Sequence, residues 1–262
     1  MSQTLPHVPN RFKKPRKKGL TMVMDKGLSI REAEDMISVS GHLIDIVKLG
    51  FGTSYVSPNL KEKISIYQNA GCKVYVGGTL FEAYLIRGML KEYKDFCFEY
   101  GLDTVEISDG SISINHQKKC NLISEFAQDF TVLSEVGSKE EGIFISPQKW
   151  ISMMTRELEA GSWKVIAEAR ESGTVGIYRP NGTAHSVLVN KILNKVPKTD
   201  ILWEAPQKAQ QVWFIELLGA NVNLGNIAPN EVIPCECLRL GLRGDTFFKY
   251  LPSDINVAAS IR

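Results

Sequence analysis

Five carboxylates in this 262-residue sequence end or follow short β-prone runs, the positions where α/β barrels usually carry their chemistry. They are Asp25, Glu106, Glu135, Glu168 and Glu204. Three cations, Lys48, Lys139 and Arg170, occupy comparable positions. So many like charges at neighbouring strand ends would repel one another unless cations or a divalent metal balanced them. The pattern therefore predicts a site for a small anionic substrate held with Mg²⁺, as in a lyase, an aldolase-like enzyme or an isomerase.

The β-prone runs that carry these residues number eight, and a helical stretch follows each of them. They are Leu20–Met24, Ile44–Leu49, Lys73–Val76, Thr104–Ile107, Phe130–Leu133, Lys164–Ala167, Ile201–Trp203 and Val222–Leu224. Their starts lie about 29 residues apart on average, which is the length of one strand, one crossover helix and two loops. Eight such units in a chain of this length predict an α/β protein, a single-domain (β/α)8 TIM barrel over residues 19–250. The dinucleotide motif GxGxxG is absent, which disfavours a Rossmann fold.

The helical stretches carry recognisable start signals. Ser29 is followed three residues later by Glu32, a capping-box signature. We expect further helices over Gly78–Glu92, over Pro147–Ala160 and, after the eighth strand, over Asn230–Leu242. Residues 1–18 are rich in Pro, Lys and Arg, so they are expected to form a basic, solvated N-terminal tail. Residues 251–262 are expected to form a loose C-terminal tail.

Composition restricts the remaining possibilities. The formal net charge of +2 gives no reason to expect a nucleic-acid partner. The five cysteines include no CxxC pair, so a structural zinc site is not expected, and reduced thiols favour a cytoplasmic protein. No run of 18 apolar residues and no signal peptide is present, so no membrane association is predicted. A homo-oligomer is compatible with the helix faces, although no single patch indicates one.

The strand ends also carry an ordered series of longer motifs: LTMVMDKGL, VKLGFGTS, VYVGGTLFE, VEISDGS, SEVGSK, EARESG, EAPQKAQQ, VNLGNI and LRLGLRGDTF. Together they extend from Leu20 to Phe247 and are spread over the ends of all eight predicted strands. In this series the sequence resembles the phosphosulfolactate synthase family. The resemblance implies a (β/α)8 barrel that adds sulfite to phosphoenolpyruvate in a Mg²⁺-dependent reaction, giving (R)-2-phospho-3-sulfolactate.

The resemblance also implies roles for particular residues. A lysine after the fifth strand is the proposed proton donor of the family, and the matching position here is Lys139. Lys48 and Arg170 are then candidates to clamp the phosphate or carboxylate, and the five carboxylates are candidates to hold Mg²⁺. The candidates for substrate binding, including a phosphate cradle after the eighth strand, are Asn223, Gly225, Asn226, Ser108 and Ser111.

Two alternatives remain open at this stage. A related barrel could act on another phosphorylated small acid with a different nucleophile, because grips for phosphate and carboxylate do not identify the attacking group. The chain could also be a non-catalytic member of the family that serves as a binding scaffold.

Overall fold

The computed structural model describes residues 5–137, 145–170 and 172–255, and within these residues eight strands form one parallel sheet. The strands are β1 (Thr21–Asp25), β2 (Ile46–Leu49), β3 (Lys73–Val76), β4 (Thr104–Ile107), β5 (Thr131–Val136), β6 (Lys164–Ala167), β7 (Ile201–Glu204) and β8 (Leu224–Ile227). Three differ from the sequence prediction by two residues or more. β5 extends to Val136, and β2 and β8 each begin two residues later than expected, at Ile46 and Leu224.

The strand order closes the sheet into a barrel. Hydrogen-bonded neighbours run β3-β2-β1-β8-β7-β6-β5-β4, and the two end strands, β3 and β4, lie side by side. A bond from the main-chain nitrogen of Gly78 to Glu106 Oε1, 2.8 Å long, joins the chain after β3 to β4. The predicted (β/α)8 barrel is therefore confirmed.

Helices surround this barrel, and the described residues contain ten of them. They are α1 (Ile30–Ser40), α2 (Thr53–Val56), α3 (Leu60–Asn69), α4 (Gly78–Ile86), α5 (Leu90–Glu99), α6 (His116–Phe126), α7 (Pro147–Glu159), α8 (Ser186–Leu193), α9 (Lys208–Leu218) and α10 (Val232–Arg239). The capping box of Ser29 and Glu32 is present at the start of α1. The helix expected over Gly78–Glu92 is instead two, because Gly88 adopts a φ of +70° between α4 and α5. Among the described residues, no helix is both long and apolar enough to cross a membrane.

Two apolar layers hold the barrel together. One lies between the strands and the helices, and the other fills the barrel itself. The inner layer consists of Leu20, Met22, Ile46, Tyr75, Leu133, Ile166 and Leu202. Because side chains two residues apart on a strand point the same way, the next inward-facing positions toward the strand ends are also predictable. They are Lys48, Glu135, Glu168 and Glu204, so a charged layer lies directly above the apolar one.

The N-terminal segment is docked on the barrel from residue 11 onward. Arg11 forms an ion pair of 2.8 Å with Glu236, and Arg16 forms one of 2.8 Å with Asp45. Lys14 donates to two main-chain carbonyls, 2.9 and 3.0 Å away. The expectation of a solvated tail is wrong for these three residues, because their cationic ends pair with acceptors near the starts of the strands.

Candidate active site

A polar cavity of about 440 Å³ lies at the C-terminal ends of the strands, within the usual size range of small-molecule sites. Most of the residues that line it come from strand ends and from the loops that follow them. They are Met24, Lys48, Phe51, Gly78, Thr79, Glu106, Ser111, Glu135, Glu168, Arg170, Ser172, Glu204 and Asn226. The structure thus brings together most of the charged residues that the sequence singled out.

Lys48 is the central cation of this cavity. Its Nζ lies 3.0 Å from Glu106 Oε2, 3.4 Å from Glu204 Oε1 and 3.5 Å from Glu135 Oε2. Burial alone would lower the pKa of Lys48, but the surrounding carboxylates, with Glu106 the strongest, outweigh burial and raise this pKa well above its ordinary value. Lys48 therefore keeps its proton at neutral pH and supplies a fixed positive charge.

Three of the carboxylates form a compact group. One oxygen each from Glu135, Glu168 and Glu204 lies within 4.8 Å of the others, and all three residues are buried. Main-chain nitrogens orient two of them: Ala169 donates to Glu204 Oε2 at 2.9 Å, and Arg170 donates to Glu168 Oε1. Hard carboxylate oxygens converging on one point suit Mg²⁺, and Lys48 lies beside two of these three residues and beside Glu106. The residues present therefore fit a divalent cation.

Asp25 does not belong to this group, contrary to the sequence prediction. Its Oδ1 accepts hydrogen bonds from the nitrogens of Gly27 and Leu28, each 2.7 Å long. Its Oδ2 lies 2.9 Å from Lys63 Nζ and accepts a 2.9 Å bond from the Tyr67 hydroxyl. Oδ1 therefore holds the turn that follows β1 and Oδ2 attaches the end of β1 to α3, which leaves Asp25 a structural role.

The loop after β4 holds the two serines predicted to bind substrate. The Ser108 hydroxyl donates to Glu82, and the main-chain nitrogen of Ser111 donates to Glu82 Oε2 at 2.8 Å. Gly110 adds a third donor to the same carboxylate at 3.1 Å. Glu82, a buried residue of α4, therefore takes the donors that the sequence suggested for a substrate. Only Ser111 of the two serines lines the cavity.

The three candidates near β8 lie in different places. Asn223 lies at the opposite end of the barrel, where its side chain accepts from the Leu20 nitrogen at 3.0 Å and donates to Ile201 O at 2.9 Å. Gly225 faces the barrel interior, because a Cβ there would lie 2.5 Å from Met22 Cε. Neither contributes to the cavity, and the cause is the two-residue error in the predicted start of β8. Asn226, buried and with a φ of +55°, does line the cavity.

The other two predicted cations are Arg170 and Lys139. Arg170 lies exposed at the rim of the cavity, with a φ of +54° that is unusual for a residue with a side chain. Within the described part of the chain, its guanidinium makes no ion pair. Lys139 lies outside the described residues.

We call Glu135, Glu168 and Glu204 the acidic group. Sequence reasoning missed two buried residues that contact its main chain, Lys119 and Tyr178. A signal existed for Lys119, which occupies the helical face of α6 that also presents Leu122, Ile123 and Phe126 to the core. A lysine on such a face is uncommon and requires buried partners. For Tyr178 the sequence holds no comparable signal, because it lies in the long loop after β6.

The ring of eight βα units and the charged cavity at its strand ends place the chain among (β/α)8 barrels that carry their site at the C-terminal face. Solved structures agree with this fold. N-acetylneuraminate lyase from Fusobacterium nucleatum superposes with a TM-score of 0.57, covering 94% of this chain and 79% of its own, at 11% identity. That likeness concerns the fold alone.

Sequence comparisons identify the family. Residues 9–245 match the family model described as (2R)-phospho-3-sulfolactate synthase. The phosphosulfolactate synthase of Methanothermobacter thermautotrophicus is 42% identical, over 92% of this chain and 96% of its own. That of Bacillus subtilis is 39% identical, over 92% and 97%. The chain belongs to the phosphosulfolactate synthase family.

Proposed function

We propose that this chain catalyses the Mg²⁺-dependent addition of sulfite to phosphoenolpyruvate, forming a carbon–sulfur bond and giving (R)-2-phospho-3-sulfolactate. The observation that carries the proposal is the buried group of Glu135, Glu168 and Glu204 around Lys48, in a chain of this family. A small, multiply charged substrate suits a cavity whose base is made of paired charges and whose rim carries Arg170.

In the proposed reaction, the sulfur of sulfite attacks C3 of phosphoenolpyruvate, and the electron pair of the double bond moves toward the carboxylate. A proton delivered to C2 then completes the addition, so the phosphate stays on the product. A Mg²⁺ ion held by Glu135, Glu168 and Glu204 would supply positive charge where negative charge develops on the carboxylate. Lys48 supplies a second, fixed positive charge at the base of the same cavity.

The proton donor must be a group that can lose its proton. The high pKa of Lys48 disfavours that residue, and an arginine does not deprotonate in proteins. As the family resemblance implies, we assign proton delivery to Lys139, the lysine after the fifth strand, and a substrate clamp to Arg170. A guanidinium can bind a phosphate or a carboxylate through two parallel hydrogen bonds.

The test of the proposed function is an assay of the purified protein with phosphoenolpyruvate, sulfite and Mg²⁺, followed through the loss of enol absorbance. We expect loss that requires sulfite and that EDTA abolishes. Phosphoenolpyruvate binding without sulfite-dependent loss would instead support a barrel that uses another nucleophile. If phosphoenolpyruvate did not bind, the non-catalytic scaffold would become the supported alternative.

Replacing Arg170 by Ala should weaken binding of phosphoenolpyruvate by about 10-fold, because one charge-assisted clamp at an exposed rim is lost. Isothermal titration calorimetry measures this change directly. Arg179→Ala is the matched control, since Arg179 is an exposed arginine of the same loop that does not line the cavity. Equal affinity of the Arg170→Ala variant and the control would contradict the clamp.

A further inference from the structure

Glu135 of β5 and Glu204 of β7 each extend one residue beyond the end of the ladder with the preceding strand, β4 and β6 respectively. The ladder between β4 and β5 ends with the pair Ile107 and Ser134, and that between β6 and β7 ends with Ala167 and Trp203. The glutamates are the next residues along β5 and β7. Main-chain carbonyls point alternately to the two neighbouring strands. The Glu135 carbonyl therefore points toward the side of β4 and the Glu204 carbonyl toward the side of β6, where these strands have already ended. A buried carbonyl in that position needs a donor from elsewhere.

For Glu135 the donor is Lys119 of α6, the helix that follows the strand that has stopped. Lys119 Nζ lies 2.5 Å from the Glu135 carbonyl oxygen. Two carboxylates hold the ammonium in place, Asp109 at 2.8 Å and Glu157 at 3.0 Å. Burial alone would lower the pKa of Lys119, but Glu157 and Asp109 outweigh it and the pKa is raised, so the ammonium keeps its three donors.

For Glu204 the donor is Tyr178, in the loop that follows β6. Its hydroxyl donates a 2.7 Å bond to the Glu204 carbonyl oxygen, and the residue is only 2% exposed. The arrangement repeats that of Lys119, since each donor comes from the segment after the strand that has stopped. The third glutamate, Glu168, has its carbonyl fixed by the main-chain nitrogen of Ile177 at 3.1 Å.

We propose that Lys119 and Tyr178 are positioning residues of the acidic group. They fix the main chain of Glu135 and Glu204, so that both carboxylates point to the same position as the carboxylate of Glu168. Neither residue lines the cavity, so neither would touch the metal or the substrate. The inference rests on the proposed function, in which this group holds Mg²⁺. Outer groups that orient ligands typically change metal affinity or activity by about 10–100-fold when they are removed.

Tyr178→Phe is the central test, because it removes one hydroxyl and keeps the ring that fills the core. We expect Mn²⁺, used as a spectroscopic probe for Mg²⁺, to bind about 10-fold more weakly or worse by electron paramagnetic resonance. Turnover should become half-maximal at a correspondingly higher Mg²⁺ concentration. Thr246→Val is the matched control: Thr246 is also 2% exposed, and its hydroxyl donates a 2.7 Å bond to a main-chain carbonyl, that of Leu238, outside the cavity.

Lys119→Met provides the second arm, paired with Arg16→Met, which breaks a buried ion pair at the other end of the barrel. We expect both variants to lose thermal stability but only Lys119→Met to lose Mn²⁺ affinity. Should Lys119→Met not fold, the comparison of Tyr178→Phe with Thr246→Val decides the question.

The outcomes separate the two claims. If wild-type protein neither binds Mn²⁺ nor consumes phosphoenolpyruvate with sulfite, the proposed function fails and the inference falls with it. If wild-type protein does both while Tyr178→Phe keeps the wild-type affinity, the inference alone is overturned. Equal losses of affinity in Tyr178→Phe and Thr246→Val would overturn it as well, because the effect would then follow stability rather than position.

Discussion

Replacing Lys48 by Met should lower the free energy of unfolding by about 3–5 kcal/mol in EDTA, and added Mg²⁺ should restore part of this loss. Lys48 is the ammonium that three buried glutamates approach within 3.5 Å. Without it those carboxylates repel one another, and a divalent cation bound among them would relieve the repulsion. Turnover should fall by about 10²–10³-fold, as for other fixed groups that stabilise developing charge. Urea denaturation with and without Mg²⁺ measures the stability change.

Lys63→Met is the control for that measurement. Lys63 is as deeply buried as Lys48, at 2% against 4% exposure, and its Nζ lies 2.9 Å from Asp25. The loss of Lys63 should destabilise the protein by a similar amount. Mg²⁺ should not reverse this effect, because Asp25 does not belong to the carboxylate group that would bind the ion. If Mg²⁺ had the same effect on both variants, the assignment of the metal to the group around Lys48 would be refuted.

The raised pKa of Lys48 also fixes the sign of its pH dependence. A group whose pKa is higher in the folded than in the unfolded protein stabilises the fold fully below the unfolded value, about 10.4 for lysine. That stabilisation is lost only as the pH rises through the folded value. Between about pH 6 and 9 the contribution of Lys48 to stability is therefore constant, and a change of activity in that range has another origin.

The charged layer of the barrel was predictable because it follows a simple geometric rule. Ile166 lies on β6 and Glu168, two residues further on, directly follows this strand, so the inward-facing apolar side chain predicts that the acid faces inward too. The same spacing relates Leu202 to Glu204 on β7. Counting positions from the inward-facing apolar residues thus identifies most of the cavity base without any knowledge of the tertiary structure.

The sequence prediction failed where a partner arrives from a distant element. Asp25 has the position of a site residue at the end of β1, but Lys63 and Tyr67 of α3 contact its Oδ2, and the main chain after β1 donates to its Oδ1. Ser108 was predicted to bind substrate, yet its hydroxyl donates a hydrogen bond to Glu82 of α4. Such pairings depend on which helix face meets which strand end, and that information is not contained in the local spacing of residues.

The start of β8 shows a second kind of failure, one of register. A shift of two residues placed Asn223 near the exit of the strand, whereas it bonds at the opposite end of the barrel. The ladder with β1 is also irregular at this strand, because Thr21 pairs with Leu224 and Val23 with Ile227. The additional residue in β8 is what allows Asn226 to reach the cavity with a positive φ. An irregularity of this kind has no periodic signature in the sequence.

Replacing Lys139 by Ala should reduce turnover by about 10²–10⁴-fold while phosphoenolpyruvate binding is retained, as expected when a proton donor is lost. Lys139 itself lies outside the described residues, but Gly137, two residues earlier, packs against Glu168. At Gly137, whose φ is +141°, an added Cβ would lie 2.5 Å from the Cβ of Glu168. The backbone at Gly137 therefore lies directly beside Glu168 of the acidic group.

The measurement separates proton delivery from binding. Steady-state kinetics should show a lower kcat for Lys139→Ala, and calorimetry should show an unchanged affinity for phosphoenolpyruvate. Lys149→Ala is the matched control, because Lys149 is an exposed lysine at the start of α7, ten residues further along the chain. Near-normal turnover of the Lys139→Ala variant would exclude it as the donor. That result would mean that the proton at C2 comes from water or from another residue.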